Sequence, residues 1–247
     1  MKNINDFEKG FLDNKNILVT GSTSGIGKAL ALGLSSYGAN VILHGKNEDS
    51  LDEIYDHIIQ KFNTNPIIVK CDLNDLDESK AQEFANAIQG SYERLDGIIN
   101  NAAIIGKMST LADYDLATWQ KVININVTSS YVLTKYLVPL MEGSKNPRII
   151  FTSSGVAEKG RAYWGAYAVS KAALKSLAEI LQEELEPISQ IRIFNFDPGK
   201  TKTAMRAFAY PAENPNDLKD ASSLLSYYLW MLSEKSDETN ERYIKFD

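Results

Sequence analysis

Residues 16–38 read NILVTGSTSGIGKALALGLSSYG. The first five are a short β-branched run, the composition of a strand. Glycines at 21, 25 and 27 then mark a turn, and apolar residues recur near every 3.6 positions through GIGKALALGLSSYG until Gly38. Strand, glycine turn and helix in immediate succession form a unit that brings a backbone close to a ligand. The helix amino terminus offers free N–H groups and a positive dipole end to a pyrophosphate. The spacing is GxxxGxG rather than GxGxxG.

The same alternation continues outward. NVILH (40–44) reads as a strand, EDSLDEIYDHIIQKF as a helix, PIIVK as a third strand and DLDESKAQEFANAIQG as a helix. LDGIIN is a fourth strand, 114–141 a long helical region, and RIIFTSS a fifth strand. A helix from about 165, the strand QIRIFNF, the helix DASSLLSYYLWMLS and a last strand RYIKF follow. Strands alternating with helices imply right-handed crossovers and a parallel sheet covered on both faces. The expected fold is α/β, a single-domain Rossmann-type doubly wound sheet of about seven strands spanning 1–247, with the dinucleotide-binding part at about 14–150. The irregular, proline-bearing segment 203–218 reads as an active-site lid.

Composition narrows the partners. Of 247 residues, 44% are hydrophobic and 23% charged, with a net charge of −6. An acidic balance argues against nucleic acid or an anionic membrane as partner. One cysteine and two histidines supply no metal cluster, so no metal is expected. The polar start MKNINDFEKGFLDNKN has no signal-peptide character, and no apolar run reaches the roughly 18 residues of a membrane span, so a cytoplasmic location is expected.

The chemistry is carried by YWGAYAVSK (163–171). Tyr167 and Lys171 lie four apart in a helical segment and share a face. A free phenol has a pKa of about 10, and a cation beside it favours the phenolate. Such a tyrosine can exchange a proton with a carbonyl or alcohol oxygen. At the end of the second strand stand Gly45 and Lys46, where an NAD-binding unit commonly has an acid for the adenosine ribose. A cation without an acid favours the 2′-phosphate of NADP(H) over NAD(H). Asp72 ends the third strand, in reach of an adenine.

In order along the chain stand TGSTSGIG (20–27), DL (72–73), NNAA (100–103), NINV (124–127), TSSG (152–155), YAVSK (167–171) and PGKTKT (198–203). Together they resemble the short-chain dehydrogenase/reductase family, over nearly the whole chain. The sequence is also similar to a bacterial subgroup of these oxidoreductases with no firmly assigned substrate. The resemblance implies that Tyr167 is the catalytic acid/base. Lys171 lowers its pKa and holds the nicotinamide ribose, Ser154 polarises the substrate oxygen, and Asn126 holds a water beside Lys171. It further implies cofactor contacts from Gly21, Ser22, Thr23, Ser24, Gly25, Ile26 and Gly27, from Lys46, Asp72, Leu73, Asn100 and Ala102, and from Tyr167, Lys171, Pro198, Gly199, Thr201 and Thr203. Ala103 replaces the usual glycine of NNAG. The substrate pocket is expected among Val156, Glu158, Tyr163, Trp164, Met205, Phe208 and Tyr210.

The function that follows is an NADP-dependent oxidoreductase interconverting a carbonyl and a secondary alcohol of a small molecule. Two alternatives share the fold: a 3-oxoacyl-thioester or enoyl reductase, and a dinucleotide-binding sensor without turnover. The family implies a homodimer or homotetramer. The ending ETNERYIKFD departs from the family's TGQ…VDGG, where the tetramer contact is usually built.

Overall fold

A computed structural model describes residues 2–246. Seven strands run in chain order: β1 (Asn16–Val19), β2 (Asn40–Gly45), β3 (Ile67–Lys70), β4 (Gly97–Asn100), β5 (Arg148–Thr152), β6 (Arg192–Asp197) and β7 (Tyr243–Lys245). Their order in the single sheet is β3-β2-β1-β4-β5-β6-β7, and every neighbouring pair is parallel. Parallel strands cannot be joined by tight hairpins, so each connection crosses over a face of the sheet.

Alternation within the strands builds two cores. Ile17 and Val19 of β1, with Val41 and Leu43 of β2, face one side. Leu18 and Ile42 face the other. The first side is covered by α1 (Gly25–Ser35), α2 (Glu48–Lys61) and α8 (Leu225–Met231), through Leu30, Leu51 and Tyr228 among others. The second is covered by α3 (Glu78–Gln89), α5 (Ser129–Leu137) and α6 (Gly165–Leu185), through Phe84, Leu133 and Leu174. Burial on both faces explains why β1, β4 and β5 are buried at every position.

The region expected as one helix over 114–141 is not continuous. Asp115 caps α4 (Leu116–Ile123), its carboxylate accepting the Thr118 N–H at 2.8 Å. A π-helical turn then spans Asn124–Thr128, with the Ser129 N–H donating to the Asn124 carbonyl, before α5 begins. A 3₁₀ turn, Val138–Met141, closes the segment, with Pro139 in its first turn. Apolar spacing continues through this region, so periodicity alone does not register the extra residue of the π turn.

Between β1 and β4 the strand order reverses, because β1 has β2 on one side and β4 on the other. In open parallel sheets the crevice outside the carboxyl ends at such a point is where ligands bind.

Candidate active site

At that crevice lies a cavity of about 380 Å³. The glycine turn forms one end. Gly21 has φ +68°, and a Cβ there would lie 3.0 Å from the Ala102 Cα. At Gly27 a Cβ would lie 2.0 Å from the Gly21 carbonyl oxygen, so only glycine lets α1 sit this close to its own turn. Ser24 is the N-cap residue of α1 but makes no side-chain capping bond. The leading N–H groups of the helix therefore lack the usual side-chain acceptor.

Of the residues expected to hold a cofactor, Gly21, Thr23, Ser24, Gly25, Ile26, Lys46, Asp72, Leu73, Ala102, Tyr167, Lys171, Pro198, Gly199, Thr201 and Thr203 all line this cavity. Ser22, Gly27 and Asn100 do not line it. Ser22 is fully buried; its hydroxyl donates to the His44 carbonyl at 3.1 Å and accepts the His44 N–H at 3.0 Å, lashing the turn to β2. Asn100 points its amide at Thr134 Oγ1, 3.2 Å away, and its neighbour Asn101 faces the cavity instead.

The other end of the cavity holds Ser154, Tyr167 and Lys171. Ser153 and Ser154 directly follow β5 in extended chain, where adjacent side chains point to opposite sides. Ser153 donates to the Tyr243 hydroxyl at 3.4 Å, and Ser154 lines the cavity together with Tyr167. Tyr167 is buried against Val156, Ala168 and Trp164. That burial pushes its pKa up to about 12, with the Ser154 hydroxyl pulling the other way. Lys171 is fully buried. Its ammonium donates to the Thr152 carbonyl at 2.7 Å and lies 5.6 Å from the centre of the Tyr167 ring. Burial lowers its pKa to about 8, while Asp197, at the end of β6, raises it.

The spacing argument expected Lys171 to lower the pKa of the phenol. In the folded chain burial outweighs it: the phenol holds its proton more tightly than free tyrosine, and the lysine holds its own less tightly. Tyr167 at neutral pH is thus a protonated donor facing the cavity.

Asn126 does not line the cavity. Its side-chain oxygen accepts the Ile104 N–H at 2.8 Å, and its amide donates to the Ile104 carbonyl and to Ser170 Oγ, each at 2.9 Å. Every amide proton is engaged, so the side chain clamps the loop after β4 to α6 rather than contacting the cavity. The π turn is what aims it inward.

Among the expected substrate residues, Trp164 and Met205 line the cavity. Val156 packs behind Tyr167, and Tyr210 packs on Trp164 at 5.8 Å between ring centres. Glu158 is paired with Lys245 at 2.7 Å, and Tyr163 and Phe208 are exposed. The segment 203–218 carries the short α-helix α7 (Ala204–Ala209), capped by Thr203, whose hydroxyl accepts the Arg206 N–H at 3.1 Å, and a 3₁₀ turn at Pro215–Asp217.

Sequence reasoning missed several lining residues: His44, Cys71, Asn101, Ile105, Thr152, Asp197 and Arg206. Asp197 directly precedes the Pro198–Gly199 turn and was findable from that position. His44 passed as an isolated imidazole. It is 2% exposed, and its Nδ1 accepts the Gly21 N–H at 3.2 Å. Burial holds it neutral, with a pKa lowered to about 4, and Nε2 has no partner among the described residues.

Residues 15–214 match the family model described as short chain dehydrogenase. The uncharacterized oxidoreductase YciK of Escherichia coli K12 is 37% identical over 229 residues, covering 93% of this chain and 90% of its own. A short chain dehydrogenase of Shigella flexneri 2a, solved in complex with NADP, superposes with a TM-score of 0.93 at 36% identity, over 96% of this chain and 99% of that one. One from Escherichia coli CFT073, complexed with NADPH, gives the same TM-score and identity, over 96% and 98%. The chain belongs to the short chain dehydrogenase family of NAD(P)-dependent oxidoreductases.

Proposed function

We propose that the protein binds NADP(H) and interconverts a carbonyl and a secondary alcohol. The observation that carries this reading is that Ser154, Tyr167 and a buried Lys171 line the same cavity as the glycine turn. The residues fit a dinucleotide: the α1 terminus lacks a side-chain cap, Gly21 and Gly27 leave room that a Cβ would fill, and Lys46 stands exposed at the end of β2. The NADP and NADPH of the two solved relatives agree with this assignment.

When bound, the dinucleotide supplies or accepts the hydride. The chain's own part is to manage the oxygen. As a carbonyl is reduced its oxygen gains negative charge, which the Ser154 hydroxyl stabilises by donation and the Tyr167 phenol quenches by giving up its proton. The phenol's high proton affinity suits it to remain loaded until that charge develops. The Lys171 ammonium then offsets the phenolate left behind. Asn126 positions rather than reacts, fixing α6 against the loop after β4.

Tyr167→Phe removes the proton and keeps the ring. Turnover of NADPH with a carbonyl panel should fall by roughly 10²–10⁴-fold, the usual scale of acid–base catalysis. NADPH binding, followed by fluorescence, should persist. A variant keeping more than a tenth of wild-type turnover would overturn the assignment.

A further inference from the structure

At the end of the sheet away from the first cavity, Arg148 opens β5, Arg192 opens β6 and Arg242 immediately precedes β7. Arg148 and Arg192 are register partners. With Lys145 they line a second cavity, of about 290 Å³, to which Glu186 and Asp237 contribute the carboxylates.

The charges do not balance. Four cations face two anions, in a chain whose net charge is −6. Asp237 serves two guanidiniums at once, Arg148 at 2.7 Å and Arg192 at 3.2 Å. Arg242 reaches Glu186 only at 4.0 Å. Lys145 is exposed and has no ion pair or hydrogen bond among the described residues. Arg192 Nε is buried without a partner among the described residues.

A purely structural role accounts for part of this. Arg148 donates to the Met231 carbonyl at 3.1 Å, Arg192 to that of Asp237 at 3.1 Å, and Arg242 to that of Thr239 at 3.2 Å. These bonds orient the guanidiniums along the segment that follows α8. Neutral carbonyls, however, leave the excess charge in place. Burial lowers the pKa of Arg148 to about 10; Asp237 and Glu234 oppose that shift, and Arg192 and Arg242 add to it.

We propose that this second cavity binds a phosphate-bearing small molecule. A phosphate dianion would offset the excess of cations over anions among the lining residues. Guanidinium forks match phosphate oxygens, and Lys145 adds a mobile point charge at the rim. The cavity is larger than one phosphate, and Asn146, Ser189 and Gln190 give the remainder a polar wall. A hydroxylated phosphate monoester, of about the size of glycerol phosphate, meets both conditions. The inference is independent of the carbonyl reaction.

The test is thermal unfolding of the full chain, titrated at constant ionic strength with sodium phosphate and separately with glycerol 3-phosphate. Saturating NADPH is present throughout to fill the first cavity, which also attracts phosphate. A saturable rise in Tm is expected, because a ligand that binds only the folded state stabilises it. Sodium chloride at matched ionic strength should give none. The double variant Lys145→Gln/Arg242→Gln should weaken binding at least ~10-fold. If it does not fold, Lys145→Gln alone, at an exposed unpartnered side chain, should weaken binding severalfold. Tighter binding of the ester than of inorganic phosphate supports the monoester; equal binding supports the phosphate site but overturns the organic part. No saturable response, or the same response in the variants, overturns the site.

Discussion

Tyr167 and Lys171 share one face of α6, yet their proton affinities move apart, the phenol to about 12 and the ammonium to about 8, both through burial. The alkaline limit of carbonyl reduction should therefore belong to the lysine. Its charged form prevails below pH 8 and is lost as pH rises through that value, long before Tyr167 ionises. A pH profile of kcat should fall with an apparent pKa near 8, and Asp197→Asn should move that limb to lower pH, since Asp197 favours the ammonium. A rate flat to pH 10 would contradict this account. Lys46 governs a separate choice. Lys46→Ala should erode a preference for NADPH of at least ~10-fold, about 1.4 kcal/mol, and leave NADH affinity nearly unchanged. Equal affinity of the wild type for both cofactors, measured by fluorescence titration, would remove the basis for the NADP(H) assignment. These residues were legible because residue type and spacing carry their chemistry. The direction of the Tyr167 shift was not, because burial is a property of the fold.

At the scale of the element, the segment 203–218, proposed as a lid, is held by a few identifiable contacts. Arg206 donates two bonds of 2.6 Å to Glu213 and stacks 3.8 Å over the Tyr210 ring, and Tyr210 in turn rests on Trp164, the neighbour of Tyr167. Unfolding of this segment would break the Arg206–Glu213 pair. Glu213→Gln should speed hydrogen exchange across 203–218 severalfold, and NADP with substrate should restore protection there. Unchanged exchange in the variant would make the segment a fixed wall. The irregular segment was visible in its prolines and polar breakers, but the ion pair was not, since Arg206 and Glu213 are seven residues apart across a turn. The π turn at Asn124–Thr128 hid for a similar reason. One added residue leaves the apolar pattern readable as helix while turning Asn126 toward Ile104 and Ser170.

Taken whole, the molecule rests on a sheet legible from its alternating elements, because strands buried on both faces must be apolar and covered by helices. What pattern alone left out was which polar residues the two cores would enclose. His44 is one: it sits under the glycine turn, and its pKa, ordinarily 6.5, is lowered to about 4. The unfolded chain takes up that proton first, so stability is highest above pH 6.5 and declines as pH falls toward 4, by on the order of 3 kcal/mol from this residue. Urea titrations at pH 7 and pH 4 should show a smaller loss for His44→Gln than for the wild type; an equal loss would exclude His44 as the cause. The borders of the sheet carry a different consequence. Its outer strands, β3 and β7, have four and three residues, and each ends in a lysine, Lys70 paired with Glu48 and Lys245 with Glu158. Exposed edges invite strands from other molecules, and shortness and charge are the features that discourage them. A chain built on a largely apolar parallel sheet thus carries its own protection against edge-to-edge aggregation.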